Sequence, residues 1–268
     1  MVRCKVIAEI GVNHDGDWQK ALDLVDAAQA SGADYAKFQI FNSETCKGEY
    51  RDILRPLQLS YDAHRAIKAH CDEIGIRYLA SCFDRAAVDF VISLGCHTVK
   101  IGSGEMTNGD LIKYVAEKQL ALILSTGMAT ADEVSEAVNK YLWSGGKELT
   151  LLHCVSNYPT KLEHCNMMVL AWMKNTFRWP VGFSDHTLGW ISTVPAAMAL
   201  GATVLEKHLT YSSKAEGPDH HMSLEPFDFS EFVRCVRKTE VMLGDGIKRL
   251  QPGEAEMQKV ARGRWNSD

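Results

Sequence analysis

The segment CKVIAEIGVNHDGDWQKALDLVDAAQASGADYAKFQI, residues 4–40, holds one copy of the pattern that decides the fold. Its two ends, CKVIAEI (4–10) and DYAKFQI (34–40), are short runs rich in apolar, β-branched and aromatic residues. They do not alternate strictly between apolar and polar. A strand reads that way when both its faces are covered, as in a parallel sheet wrapped by helices. Between them, Ala21, Leu22, Leu24, Val25 and Ala28 recur at helical spacing, and Gly32 follows as a stop. Strand, amphipathic helix, strand is a βαβ unit, whose two strands must run parallel.

The unit repeats along the chain. Further strand candidates are IRYLAS (76–81), HTVKIG (97–102), LALILS (120–125), LTLLHC (149–154), WPVGFS (179–184) and ATVLEK (202–207). Helical patterns lie at 61–74, 84–94, 109–118, 130–143, 188–200 and 229–243, and the segment 161–176 is the least regular. Thr130 with Glu133 is a capping box. Eight strands, each with a helix after it, fit an α/β fold of the (β/α)8 TIM barrel type, which uses about 250 residues. A doubly wound sheet has the same alternation and stays as the alternative. No Pro-, Gly- or Ser-rich linker divides the chain, so one catalytic barrel is expected over residues 1–268, with a polar tail from about residue 252.

Bulk properties exclude several classes. The net charge is -5, with 46% hydrophobic and 24% charged residues, so a general affinity for nucleic acid or an anionic membrane is not expected. Glu9 interrupts the apolar N-terminus too early for a signal peptide. No stretch approaches the roughly 20 apolar residues of a membrane span, so a cytoplasmic location is expected. The eight cysteines are scattered without a C-x-x-C pair, which reads as free thiols.

Reactive groups of a TIM barrel sit where its strands end. Here the ends carry Glu9, Lys37 with Gln39, Ser81, Lys100 with Ser103 and Glu105, Ser125, Ser156 with Tyr158, Ser184 with Asp185 and His186, and Glu206 with His208. A lysine in an apolar strand is costly unless it meets an anion. Lys37 and Lys100 either snorkel from strand ends or face such an anion, and Glu9 is a candidate partner inside the barrel. His186 and His208 end neighbouring strands about 5 Å apart, so their imidazoles can share one divalent cation. The other reading of each is a satisfied core histidine. His64 and His70 read as solvent-facing on a helix, His153 as core, and His220 and His221 as pocket-lining. Gly102-Ser103-Gly104 and Ser125-Thr126-Gly127 can aim backbone N–H groups at an anion. Two lysines with several hydroxyls suit a small phosphorylated carboxylate.

The motifs AEIGVNHDGD, AKFQ, KIGSGEMTN, ILSTGM, LLHCVSNYPT, GFSDHTLG, LEKHLT and GPDHHMSLEP, in this order, strongly resemble the catalytic barrel of the sialic acid synthase family. That family includes N-acetylneuraminate, legionaminate and pseudaminate synthases, and the resemblance runs from about residue 5 to about residue 262. It implies condensation of phosphoenolpyruvate with an open-chain N-acetylated sugar aldehyde, using Mn2+ or another divalent ion such as Mg2+ or Co2+, with release of phosphate. By resemblance, His186 and His208 hold the metal. Lys37, Ser81, Lys100, Ser103, Ser125, Ser156 and Ser184 match phosphoenolpyruvate-binding positions. Glu9, Gln39, Tyr158 and Asp219 match positions facing the sugar. Glu105, with Glu9 second, is the expected proton-handling carboxylate. The family usually forms homodimers. Ser81 and Ser156 depart from members with Thr and Asn there. Many members add a small antifreeze-like domain that supplies an arginine to the sugar. No residue here matches that role, so the acceptor stays open. The same condensation on another aldehyde, or a non-catalytic ligand-binding barrel, are the competing readings.

Overall fold

A computed structural model of the chain describes residues 3–262 and 264; residues 263 and 265–268 of the polar tail lie outside the described part. All eight expected strands form: β1 (Lys5–Gly11), β2 (Tyr35–Ile40), β3 (Arg77–Cys82), β4 (Thr98–Ile101), β5 (Ala121–Ser125), β6 (Leu149–His153), β7 (Val181–Asp185) and β8 (Ala202–His208). They pair in chain order and β8 closes on β1, all parallel. The doubly wound alternative is thereby excluded. The fold is a (β/α)8 TIM barrel.

The helices among the described residues are α1 (Trp18–Ala30), α2 (Glu49–Leu54), α3 (Tyr61–Ile74), α4 (Arg85–Ser93), α5 (Gly109–Glu117), α6 (Ala131–Trp143), α7 (Met168–Phe177), α8 (Thr193–Ala199), α9 (Pro226–Leu243) and α10 (Glu254–Ala261), and all but α2 and α10 fall in the expected segments. Their starts are fixed locally. Asp17, Ser60, Asp84 and Asn108 each accept a backbone N–H at a helix N-terminus, and Thr130 forms the capping box with Glu133. Two helices were not expected. α2 lies in the long connection after β2, and α10 lies in the polar tail. Both are short and neither buries a residue, so neither leaves a strong apolar period to read.

Two cores explain the apolar strands. Outward-facing residues such as Ala8, Phe38, Ala80, Val99, Leu124, Leu151 and Leu205 pack under the helices in the main core. Inward-facing Ile7, Tyr35, Leu79, Ile123, Leu152 and Val204 form a separate plug. Two residues further along the same strands, on the same face, stand Glu9, Lys37, Ser81, Ser125, Cys154 and Glu206. The barrel interior therefore changes from apolar to polar within one side-chain layer, and the site is built on that plug.

His64 corrects a reading. It lies on the inner face of α3 with Ile67 and Cys71, not in solvent. Its Nδ1 meets the Tyr78 hydroxyl at 3.0 Å, and burial pushes its pKa down to about 4.

Gly182 makes room in the plug. A Cβ there would stand 2.4 Å from the Val204 carbonyl oxygen and 2.6 Å from Leu152 Cδ2. Gly182→Ala is therefore expected to destabilise the fold by about 1–3 kcal/mol, seen as a lower urea midpoint. An unchanged midpoint would show that the plug is looser than this packing implies.

Candidate active site

Above the plug lies a cavity of about 480 Å³, lined at its base by Glu9, Lys37, Ser81, Lys100, Ser125, Ser184 and Glu206. Strand register sets the neighbours: Glu9 pairs with Lys37 and with His208, Ser81 with Lys100, and Ser184 with Glu206. Lys37 makes an ion pair with Glu9, meets Ser81 Oγ at 3.0 Å and lies 3.6 Å from Glu206 Oε2. Lys100 reaches across the barrel to Glu206 Oε1 at 2.5 Å. Ser184 Oγ donates to the same oxygen at 2.7 Å. The lysines do not snorkel: Lys37 is 1% exposed and Lys100 5%. Each has its anion.

This arrangement sets the charges. Burial opposes ionisation of Glu206, but Lys100 and Lys37 outweigh it and hold the carboxyl well below its usual range. Burial would lower Lys37, but Glu206 and Glu9 raise it. Burial dominates at Lys100 and lowers it despite Glu206. Glu206 was visible as a strand-end residue, but its role was not. Its partner Lys100 lies 106 residues away on a non-adjacent strand.

His186 and His208 stand on the same wall, ring centroids 5.6 Å apart. His186 Nδ1 meets the Val155 carbonyl at 2.8 Å. A carbonyl only accepts, so Nδ1 carries the proton and Nε2 keeps its lone pair. His208 Nδ1 is buried with no hydrogen-bond partner among the described residues. Burial pushes His186 down to about 4, and burial with the neighbouring His186 holds His208 well below its ordinary value, so both are neutral near pH 7. Two neutral imidazoles, one with its tautomer fixed and one with an orphaned nitrogen, are a donor set that suits a divalent cation. Among the described residues no group of three His, Cys, Asp or Glu gathers to hold a metal. The remaining coordination positions would fall to water and substrate.

The other expected residues divide. Gln39 Nε2 donates to Glu9 Oε1 at 3.0 Å, and the Tyr158 ring packs at a tilt of 40° against His186 with centroids 4.5 Å apart. Asp219 lines the cavity, with Oδ2 3.8 Å from His208 Nδ1, and burial raises its pKa to about 6. Ser103 Oγ accepts from Gly127 N at 3.0 Å, and Ser156 lies beside it on the cavity wall. Ser125 Oγ is buried without a partner among the described residues. Glu105 stands apart. Its side chain does not line the cavity and accepts from Asn108 Nδ2 at 2.7 Å on the turn after β4. His220 and His221 do not line it either. His220 is buried between Thr210 Oγ1 (2.6 Å) and Asp15 Oδ1 (2.9 Å), which ties the β8 loop to the β1 loop beneath Asp219.

The chain matches the NeuB family model over residues 24–248. It is 39% identical to the N,N'-diacetyllegionaminic acid synthase of Legionella pneumophila, over 97% of this chain and 78% of that protein. It is 35% identical to the human N-acetylneuraminate-9-phosphate synthase, over 94% of this chain and 74% of that protein. A solved structure of N-acetylneuraminic acid synthetase from Leptospira borgpetersenii, in complex with citrate, superposes with a TM-score of 0.91 at 30% identity, covering 97% of this chain and 92% of that one.

Glu206→Gln removes the charge that Lys100 faces and leaves a buried ammonium uncompensated. A loss of about 3–5 kcal/mol in unfolding free energy is expected from denaturant titration. A loss below about 1 kcal/mol would mean that Lys100 finds another anion or leaves the interior.

Proposed function

The chain belongs to the NeuB family and is a C–C bond-forming transferase of the sialic acid synthase type, and on that premise we propose that it condenses phosphoenolpyruvate with the open-chain aldehyde of an N-acetylated sugar, in a divalent-metal-dependent reaction that gives a nonulosonic acid and phosphate. The observation that carries the proposal is the pair of buried lysines at the base of an open cavity, beside two neutral histidines. A small molecule with both a phosphate and a carboxylate presents one anion to each lysine.

Lys37 with Ser81 and Lys100 with Ser184 would bind these two anionic ends. Ser103, Ser125, Ser156 and the backbone N–H groups near Gly127 would supply further donors. His186 and His208 would hold the cation, Mn2+ being the first choice and Mg2+ or Co2+ alternatives. When bound, the cation supplies Lewis-acid polarisation of the aldehyde oxygen. Gln39, Tyr158 and Asp219 would hold the sugar so that its aldehyde carbon faces carbon 3 of phosphoenolpyruvate. Carbon 3 attacks the aldehyde carbon, and the former aldehyde oxygen takes up a proton. Water adds at carbon 2 and loses one proton, and the bond from carbon 2 to the phosphate oxygen then breaks with its electron pair going to the phosphate, as the new hydroxyl becomes the ketone and its proton passes to the departing phosphate. Glu9 lines the cavity and touches both Lys37 and Gln39, so it is better placed for these proton transfers than Glu105.

Charge balance gives a reason for a cation. Lys37 and Lys100 are already cancelled by Glu9 and Glu206. Phosphoenolpyruvate would bring close to three negative charges into a site with little net charge, and a divalent ion offsets most of them.

The test is phosphate release from phosphoenolpyruvate with Mn2+ and a panel of N-acetylhexosamines. Release is expected with at least one sugar, and chelation or His186→Ala should abolish it. No release from any aldose, or release that survives both treatments, would overturn the proposal. Glu9→Gln is expected to lower kcat about 10²–10⁴-fold. Glu105→Gln should cost much less, and the reverse order would return the proton role to Glu105.

A further inference from the structure

A further cavity, of about 920 Å³, lies at the N-terminal end of the barrel, on the face opposite the candidate active site. The opening residues of β1, β6, β7 and β8 border it together with the end of α7. Its floor is apolar: Val181 and Val204 are buried and Trp179 is half-buried. Val204 belongs to both this floor and the plug, so the two cavities lie on opposite sides of one apolar layer. The rim is basic. Arg3, Lys5, Lys174 and Arg178 line it, with Thr150 and Thr203 beside them. Among the described residues no carboxylate lines this cavity.

These cations are not consumed by the fold. Arg3 has one exposed ion pair, with Asp34 at 3.3 Å. The side chains of Lys5, Lys174 and Arg178 make no ion pair or hydrogen bond among the described residues. Lys174 lies over Gly201, where a Cβ would stand 2.6 Å from its Nζ, so the glycine leaves the ammonium its place on the cavity wall. The C-terminal dipole of α7 favours cations at Lys174 and Arg178, but it does not explain two more from the start of the chain. The chain as a whole carries a net charge of -5, so the cluster runs against the bulk balance. Like charges gathered round one cavity repel each other and concentrate anions there.

We propose that this cavity binds a phosphorylated small molecule with a flat ring, such as a nucleoside phosphate. Its phosphates meet Lys5, Lys174 and Arg178, and its ring lies against Trp179. The volume suits a ligand of that size. The site shares no lining residue with the catalytic cavity, and it stands independently of the synthase reading.

Calorimetric titration of the metal-free chain with ATP and with inorganic tripolyphosphate tests this, because tripolyphosphate carries the phosphates without the ring. ATP is expected to bind one per chain, at least about tenfold tighter than tripolyphosphate, which is the scale of stacking one base on an aromatic side chain. Lys174→Ala combined with Arg178→Asn should weaken ATP at least about tenfold, since two charge-assisted hydrogen bonds are lost. Asparagine is chosen because Arg178 holds a left-handed backbone, φ 57°. Both side chains are exposed, so the double variant should fold, which thermal melting checks. Lys113→Ala combined with Lys118→Ala, an equal change of charge on and just after α5, should leave ATP binding unaltered. No ATP binding, or equal affinity for the two probes, would overturn the proposal. An equal loss in the Lys113 and Lys118 variant would also overturn it, by reducing the effect to bulk charge. So would ATP binding that survives the Lys174 and Arg178 changes, or that phosphoenolpyruvate displaces, since either places the nucleotide elsewhere.

Discussion

Two ammonium groups inside a barrel are tolerable only if two carboxylates meet them there. Lys37 faces Glu9, Lys100 faces Glu206, and Glu206 also lies within 3.6 Å of Lys37. Removing any one of the four leaves a buried charge without its partner, which costs far more than the intact set gains over an apolar filling. The plug of Ile7, Tyr35, Leu79, Ile123, Leu152 and Val204 fills the barrel beneath them, and the cavity above them opens at the C-terminal mouth. The plug closes one end, the charges hold a polar layer above it, and the loops form a cavity around that layer.

A site that is already balanced binds an anion only if something adds positive charge or the internal pairs give way. The four-charge set and the neutral histidines beside it are therefore one device. In the proposed reaction the lysines would give direction and hydrogen bonds to the two ends of an anionic ligand, while the histidines would offer lone pairs to a cation that offsets its charge. Glu206 keeps Lys100 pointing across the barrel until a ligand competes for it.

Much of this was legible in the sequence because it is periodic or local. Eight apolar runs separated by helical patterns gave the barrel, and the polar residues ending those runs gave most of the cavity base. Three features were not legible. The Lys100–Glu206 pair joins β4 to β8 across the interior, and no spacing rule links residues that far apart. Glu105 sits in a motif with Ser103 and Gly104, but a 3-10 turn rotates it toward Asn108 and out of the cavity. α2 carries an apolar face on only six residues, too few for a periodic signal, and that face lines a cavity. His64 and His220 were misread for a shared reason. A histidine's burial depends on its partner, and Tyr78 and Asp15 lie on other elements.

The central claim is that a charge-balanced pair of lysines takes up phosphoenolpyruvate together with a divalent cation. Calorimetric titration of phosphoenolpyruvate into the chain, with Mn2+ absent and then saturating, tests it most directly. The account predicts binding at least about tenfold tighter with Mn2+, and by linkage Mn2+ binding tightened by the same factor when phosphoenolpyruvate is present. Equal affinity in both titrations, or no binding in either, would contradict it.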